Sequence, residues 1–597
     1  MNLARAGAAL FCVTVAIGAC SKSPRVESRS VTLHAPAACA PATSALGVFA
    51  ALGDFQPPST LQPVPLVDVG EQLAGAPADT QEIEVNVDET AWIAHTLVPA
   101  SGDVDTLLLP FQSPCALTDP VTARTGEAVG AIDENHVLIA GGTPTGSSGV
   151  PATMLVDLSV GAVSALPTGL LVPRVQTTVT SWAGGGVVAG GVRPGTGGQV
   201  QASAEVYVSS VGDFDGQLIV LSEPRAQHGA VTLANGETLL VGGVDGNGNV
   251  LASMELVDAS SHRAQTTNLA SLAVARANPT VLMLASGEIL VAGGADAAGA
   301  PVGMLEWFKG DGSAASGDPQ ALVASSNEAF VRLDAGGALA VIGPDAATTP
   351  AQNVWVVSAA HAIEAASSIQ GGLSAVQLFD GADQAPALWT GDRWLLWDPW
   401  SGSFATPIAI GAVGPSVGDP AASPEPGLGL WLDGTVVSAL RFAARGPYAS
   451  TVAALLTTDT SHTGPDQLVT GGPGAIVFDP TSGLSLQTGA SVFVTDASFA
   501  SFTLDAQTPS GSPPALVLRD AAGNTTLLDA TACAIPPSSS IHFERDGATV
   551  RASSGTRPLV TCSIGPAADA RVAIGVQGQA SEGSGVSVVQ DVAIARQ

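Results

Sequence analysis

A block of about 50 residues recurs four times in the middle of this 597-residue chain. Each copy ends a short apolar run with a glycine pair, and the first glycines are 49, 52 and 51 residues apart. The pairs are Gly141 and Gly142, Gly190 and Gly191, Gly242 and Gly243, and Gly293 and Gly294. An arginine precedes each pair by 16 or 17 residues: Arg124, Arg174, Arg225 and Arg276. A fixed period of this length with several strand-sized pieces predicts the blades of a β-propeller.

The third copy, residues 223–258, shows the pattern most clearly. It predicts strands at 229–233, 237–241 and 254–257, with a turn at Asn235 and Gly236 between the first two. Asn-Gly between two β-rich runs is typical of a type I′ hairpin, in which both central residues have positive φ. We therefore expect antiparallel strands joined by tight turns in every copy.

This copy resembles the bacterial Kelch repeat, in which an arginine and a histidine precede the glycine pair and an acidic strand follows it. The matching residues are Arg225, His228, Gly236, Gly242, Gly243, Glu255 and Asp258. The other copies carry Glu127, Thr177 and Pro279 at the histidine position. The resemblance implies a Kelch-type β-propeller and by itself implies no activity.

Degenerate hairpins extend the repeat beyond its fourth copy, at 331–344, 385–404 and 427–442. Seven blades are therefore favoured, with six as the alternative, and the propeller is predicted to span 121–450. Strand-like residues 31–120 lack the repeat and are a candidate for closing the ring. Residues 451–597 resemble a jelly-roll β-sandwich of the laminin-G or concanavalin type, including a final strand at Gln590–Arg596. The chain is predicted to be all-β, because outside the N-terminus it has no long pattern of helical period.

The N-terminus resembles the signal peptide of a bacterial lipoprotein. Arg5 precedes an apolar stretch that is too short to span a bilayer, and Ile17-Gly18-Ala19-Cys20 follows it. The resemblance implies cleavage after residue 19, lipidation of Cys20 and a tether at 20–30. Ser21 at the next position resembles a signal for the outer membrane of Gram-negative cells. We expect an exported protein that is anchored to the outer membrane by lipid, on its periplasmic or cell-surface face.

Four cysteines remain after the signal peptide and Cys20 are set aside: Cys39, Cys115, Cys533 and Cys562. An even number in an oxidising compartment predicts two disulfides, and three pairings are open. Sequence proximity favours Cys39 with Cys115 and Cys533 with Cys562.

Charge limits the partners that the chain can bind. With 21 basic and 52 acidic residues the formal net charge is -31, which repels nucleic acid and anionic lipid surfaces. The expected partners are a protein or glycan ligand, together with the membrane through the lipid anchor.

Three clusters invite a functional interpretation, and the structural interpretation is favoured for each. The repeat arginines could form a cationic ring, but a guanidinium at fixed spacing from a glycine pair is typical of a group that binds loop carbonyls. Four tryptophans in a segment of twelve residues could stack on sugars, but favour a packed core: Trp389, Trp394, Trp397 and Trp400. Asp245 to Asn249 alternates oxygen ligands as calcium loops do, but a plain turn is favoured.

No catalytic, cofactor or metal residue is predicted. Some secreted Kelch propellers resemble galactose oxidase, whose copper-radical chemistry requires two tyrosines, two histidines and a Cys–Tyr crosslink. This chain has only Tyr207 and Tyr448, and its eight histidines are scattered. Tyr207 lies in a repeat strand at a position where Kelch blades place a packed aromatic residue, so a copper site is not expected. No H-E-x-x-H metalloprotease motif and no Walker-type nucleotide-binding loop is present either. The sequence therefore predicts a binding or adhesion protein of the cell envelope that is not an enzyme. The alternatives are a carbohydrate-active enzyme of unrecognised type and a structural envelope component.

Overall fold

The structure is a computed structural model, and it describes the parts of the chain in which the strands lie. The described residues are 29–39, 46–53, 62–65, 72–76, 80–87, 92–97, 104–110, 113–117, 124–133, 135–145, 152–195, 197–333, 337–345, 350–371, 373–380, 386–398, 403–405, 414–415, 421–425, 427–433, 436–442, 468–471, 476–479, 483–487, 491–499, 501–507, 515–520, 525–528, 540–546, 549–554, 560–562, 572–577 and 586–596. These residues contain β-strands and no helix, as the all-β prediction requires. Correspondingly, this part of the chain has no helix that could cross a membrane.

Nine strands precede the first repeat, and eight of them form two sheets. The strands are β1 (Arg29–His34), β2 (Leu46–Gly53), β3 (Gln62–Pro65), β4 (Gln72–Ala76), β5 (Thr80–Val87), β6 (Trp92–Leu97), β7 (Val104–Leu107), β8 (Leu109–Pro110) and β9 (Cys115–Ala116). One sheet has the order β4-β1-β7 and the other the order β3-β2-β5-β6-β8. The strand β9 belongs to neither and joins the last blade described below.

Four successive four-stranded antiparallel sheets correspond to the four sequence repeats. Blade one is β10 (Arg124–Ala131), β11 (His136–Pro144), β12 (Met154–Asp157) and β13 (Ala162–Ala165). Blade two is β14 (Thr178–Trp182), β15 (Gly185–Ala189), β18 (Ser203–Val208) and β19 (Asp213–Val220), with a hairpin of β16 (Val192–Arg193) and β17 (Gln199–Val200) inserted. Blade three is β20 (Gly229–Thr232), β21 (Thr238–Val241), β22 (Met254–Asp258) and β23 (Arg263–Gln265). Blade four is β24 (Thr280–Met283), β25 (Ile289–Ala292), β26 (Met304–Phe308) and β27 (Gln320–Ala321).

Three further blades complete a seven-bladed propeller, which confirms the favoured count. Blade five is β28 (Glu328–Arg332), β29 (Ala338–Ile342), β30 (Val354–Val357) and β31 (Ile363–Ala365). Blade six is β32 (Gln377–Phe379), β33 (Ala387–Trp389), β34 (Trp394–Asp398) and β35 (Ser403–Ala405). Blade seven is β36 (Ala421–Glu425), β37 (Leu428–Asp433) and β38 (Val436–Arg441), and its outer strand is β9 from the N-terminal region.

The first strand of each blade is the innermost, and neighbouring first strands pack against each other around a central channel. Each first strand contacts the next along the series β10, β14, β20, β24, β28 and β32. The ring closes where β36 contacts β10. Pairing of β9 with β38, where Cys115 lies opposite Ala439, joins the N-terminal region to the last blade. The last blade is therefore completed by a strand that precedes the first blade in sequence, which leaves fewer exposed sheet edges.

The second strand of each blade explains the apolar runs of the sequence. In blade three β21 is buried along its whole length, and its residues Leu239 and Leu240 pack into two different cores, one on each face of the sheet. A strand covered on both faces by neighbouring blades has no solvent side, so its sequence is continuously apolar instead of alternating.

One turn differs from the sequence prediction. In the hairpin of blade three Gly236 has a φ of 84°, but Asn235 is not among the residues with positive φ. The turn is therefore not type I′. The Leu233 N–H donates to Glu237 O at 2.8 Å, which gives the three-residue loop with a left-handed glycine that is also common in hairpins.

The C-terminal region forms two antiparallel sheets, of orders β39-β42-β49-β44-β45 and β40-β41-β50-β43-β46-β47-β48. Their strands are β39 (Leu468–Gly471), β40 (Ile476–Asp479), β41 (Gly483–Gln487), β42 (Ser491–Phe499), β43 (Ser501–Gln507), β44 (Ala515–Asp520), β45 (Thr525–Leu528), β46 (Ser540–Asp546), β47 (Thr549–Ser554), β48 (Val560–Thr561), β49 (Val572–Gln577) and β50 (Val586–Arg596). The jelly-roll sandwich and the domain limits drawn from the sequence stay predictions.

Candidate binding site at one mouth of the propeller

The four repeat arginines lie at the start of the innermost strands of blades one to four, or just before them, and all four are buried. Arg174 Nη1 donates 2.9 Å hydrogen bonds to the carbonyl oxygens of Gly190 and Ser203. Arg124 Nη1 donates to Ala152 O at 2.7 Å in the same way. Each guanidinium therefore ties the entry of a blade to the second and third strands of that blade, and it is not accessible as a cationic anchor for a ligand.

A glutamate in the third strand neutralises three of these arginines. The ion pairs are Arg174 with Glu205, Arg225 with Glu255, and Arg276 with Glu306. Glu205 also accepts hydrogen bonds from the backbone N–H groups of Leu171 and Val172, so the carboxylate holds the incoming loop as well. Buried charges are tolerated when they are paired and hydrogen-bonded in this way. In blade one, Met154 stands at the position of the glutamate.

The glycine pairs join neighbouring blades at the same end of the propeller. The N–H groups of Gly142, Gly191 and Gly243 donate to the carbonyl oxygens of the next blade's arginine at 2.9, 2.8 and 2.9 Å. The first glycine has positive φ, and at Gly190 a Cβ would lie 2.3 Å from Arg225 O. Only glycine permits this close approach. The recurring pair is therefore explained by contact between blades.

The residue two places after each repeat arginine has a left-handed backbone conformation. These residues are Gly126, Gln176, Gln227 and Asn278, with φ of 76°, 54°, 53° and 52°. Their backbones form a ladder across four blades: each N–H donates to the carbonyl oxygen of the preceding member, at 3.0, 3.3 and 2.6 Å. Because β14, β20 and β24 begin two residues after the three amides, the ladder curves around one mouth of the channel.

The three carboxamides of this ladder, Gln176, Gln227 and Asn278, are called here the amide row. Gln176 and Asn278 are exposed and Gln227 is half-buried, whereas the next residue in each segment is buried: Thr177, His228 and Pro279. Among the described residues, none forms a hydrogen bond with these side-chain amides. Each amide offers both donors and an acceptor. The row is therefore a set of uncharged polar groups available to a ligand at the mouth.

His228 lies beneath the row between blades two and three. Its Nε2 is 2.9 Å from Thr178 Oγ1, and the ring is buried. Burial, together with the charges of Arg225 and Arg174, lowers the pKa of His228 to about 3. The imidazole is thus neutral and holds two blades together; it is not positioned as an acid or base for a ligand.

Glu328 is a carboxyl at the mouth whose pKa is strongly perturbed. It is the first residue of the innermost strand of blade five and is half-buried. Burial raises the pKa of Glu328 to about 7, against the opposing effects of the Gly294 N–H and the Arg276 charge. A carboxyl that exchanges its proton near neutral pH in a concave site is a candidate acid or base.

The tryptophan cluster is a packed core, as the sequence analysis favoured. Trp389, Trp394 and Trp397 are buried, and the first two rings lie 5.2 Å apart between centroids. Trp389 Nε1 donates to Pro415 O at 2.7 Å. Trp400 lies outside the described residues.

The segment around Asp245 is an ordinary turn, which was the favoured interpretation. Asp245 accepts hydrogen bonds from the N–H groups of Asn247 and Asn249, both at 2.8 Å. Asp296 makes the same two bonds in blade four. The part of the chain that the structure describes contains no cluster of three or more metal-ligating side chains.

One predicted disulfide is confirmed, because Cys39 and Cys115 are bonded, and it fixes the N-terminal region beside the closing strand β9. Cys562 is also disulfide-bonded, while its predicted partner Cys533 lies outside the described residues. Cys20 and Tyr448 likewise lie outside them. Tyr207 is buried in blade two with its ring edge toward Phe214.

Comparison with known proteins gives matches among solved structures. No family model matches the chain, and no curated protein sequence matches it. Among solved structures, that of YjhT is 14% identical with a TM-score of 0.34, and the match covers 54% of this chain and 94% of YjhT. A fungal alcohol oxidase of the AA5 family, in complex with copper, is 14% identical with a TM-score of 0.41, over 80% of this chain and 92% of the oxidase. The repeat motif and the seven blades support a Kelch-like propeller.

The prediction that the chain is not an enzyme is wrong. It rested on missing motifs alone, whereas the second of these matched structures is an alcohol oxidase. The match assigns neither copper nor an alcohol substrate to this chain.

Neither the amide row nor Glu328 was predicted from the sequence. The signal for the row was present, because an amide follows three of the four repeat arginines by two residues. An arginine-to-glutamate spacing of 30 or 31 residues likewise marked the ion pairs of Glu205 and Glu306. No sequence pattern marks Glu328, whose pKa depends on burial between two blades.

Proposed function

We propose that this chain is an exported, lipid-anchored binding protein of the cell envelope, which presents its propeller mouth to a glycan or protein ligand. The observation that carries the proposal is the amide row, a set of exposed or half-buried hydrogen-bonding groups without partners among the described residues. A rigid propeller that holds such groups at the mouth of its channel is a preformed concave site. A face of the C-terminal sheets is the second candidate surface.

Binding is tested with the full chain, solubilised in detergent and presented to a printed glycan array and, separately, to cross-linking on intact envelopes. Saturable binding to a defined glycan or to one envelope protein is the expected result. The proposal fails if neither format gives saturable binding.

The lipid anchor is supported by the apolar N-terminal segment followed by Cys20. Metabolic labelling with a fatty-acid probe should label the wild-type chain and leave a Cys20→Ser variant unlabelled. Labelling of both chains would contradict the anchor at this residue.

A second candidate function is a carbohydrate-active enzyme that uses the same mouth, and the perturbed pKa of Glu328 favours it. In that case a bound oligosaccharide would be chemically altered on incubation. Mass spectrometry of the recovered glycan tests this, with Glu328→Gln as the variant that abolishes the change while binding persists.

A further inference from the structure

The amide row occupies a backbone conformation that favours glycine. A residue other than glycine in the left-handed region is strained by its Cβ, whereas glycine adopts the region freely. Blade one places Gly126 at this position, and blades two to four place Gln176, Gln227 and Asn278 there. The backbone ladder itself requires only N–H and C=O groups, which glycine also supplies. Three of the four positions carry an amide although glycine fits this backbone conformation better, which indicates a role for the amide side chains.

The geometry of the row limits the size of what it binds. Adjacent members are joined by backbone hydrogen bonds, so their side chains start about 5 Å apart, as on neighbouring strands. The row is curved because it follows the channel mouth. It therefore fits a compact group that presents several polar atoms around its edge more closely than an extended chain.

The chemistry of the row limits the charge of the ligand. Carboxamides donate and accept at once, and so do hydroxyl groups, which makes the two complementary. The nearby guanidinium groups of Arg174, Arg225 and Arg276 are buried and paired with glutamates, so they offer no charge to an anion. Hydroxyls of neighbouring inner strands also meet: Ser181 Oγ in β14 is 3.1 Å from Thr232 Oγ1 in β20.

We propose that Gln176, Gln227 and Asn278 together bind an uncharged, hydroxyl-rich sugar unit, such as the end of a neutral glycan. This inference rests on the proposed binding function and assigns both the contact residues and the ligand class. The ligand hydroxyls take the place of water on the three amides, and the fixed backbone ladder keeps the amides in position before binding.

The test replaces all three amides with glycine, in the full chain, as Gln176→Gly, Gln227→Gly and Asn278→Gly combined. This variant removes the side chains and relieves the backbone, so its unfolding midpoint should be unchanged or higher. Asn268→Gly is the matched control, because Asn268 is also exposed with a φ of 65° but lies outside the row. Both variants and the wild type are measured on an array of neutral and anionic glycans, followed by titration calorimetry with the best neutral glycan.

The expected result is binding of neutral glycans by the wild type and the control, and at least about 100-fold weaker binding by the triple variant, since three hydrogen-bonding groups are lost. Equal binding by the triple variant overturns the assignment to the row while leaving the binding function intact. A preference for anionic glycans overturns the ligand class. Binding of an envelope protein without any glycan also overturns the inference but preserves the proposed function, and no binding in either format removes both.

Discussion

Replacing Glu328 with glutamine should change how the local stability of the propeller depends on pH. Burial raises the pKa of Glu328 from 4.5 to about 7. Between these values the folded chain holds a proton that the unfolded chain has released. The raised pKa of Glu328 therefore contributes its full stabilisation of the folded state below about pH 4.5. This stabilisation is lost as the pH rises through about 7. At about 1.4 kcal/mol per pKa unit, the loss is on the order of 3 kcal/mol.

The Glu328→Gln variant lacks this dependence because its amide stays neutral. Hydrogen exchange of peptides that cover Glu328–Arg332 and residues 290–296, at about pH 5 and about pH 8, reports opening of the junction between blades four and five. The ratio of hydrogen-exchange protection in the variant to that in the wild type should rise by up to about 100-fold from about pH 5 to about pH 8. Glu364→Gln, which removes an exposed carboxylate from the outer strand of the same blade, is the control. The same pH dependence in wild type and Glu328→Gln would refute the reasoning.

Three further predictions concern the frame that holds the mouth. Glu205→Gln leaves the buried Arg174 without its counter-charge and should lower the free energy of unfolding by roughly 3 kcal/mol in urea titrations; an unchanged free energy of unfolding would contradict a stabilising ion pair. Cys115→Ser breaks the disulfide to Cys39, which closes a sequence separation of 76 residues; the expected loss of about 4 kcal/mol should appear as earlier thermal unfolding and proteolysis near blade seven. Gly190→Ala should destabilise more than Gly195→Ala, because both have positive φ but only at Gly190 would the Cβ meet a backbone oxygen at 2.3 Å; equal melting temperatures would argue against the close approach.

Much of the architecture was predictable because a propeller repeats one local solution. The glycine pair and the arginine before it have fixed spacing because they contact the same neighbours in every blade, as the Gly142 and Gly191 bonds to successive arginines show. The strands predicted in the third repeat agree with β20, β21 and β22 to within one residue. The turn type at Asn235 was wrong, because a dipeptide preference does not fix the length of the loop that the strand register requires.

The sequence by itself determined the all-β repeat, because the repeat follows from residues spaced along the chain. It favoured seven blades and the Cys39 to Cys115 bond but left six blades and two other cysteine pairings open. Only the tertiary structure decided which groups meet at the mouth. Gln176, Gln227 and Asn278 are about 50 residues apart in sequence, yet their backbones are hydrogen-bonded to one another. The pKa of Glu328 is likewise a property of its surroundings: burial removes the carboxyl from water, and no neighbour along the chain encodes that.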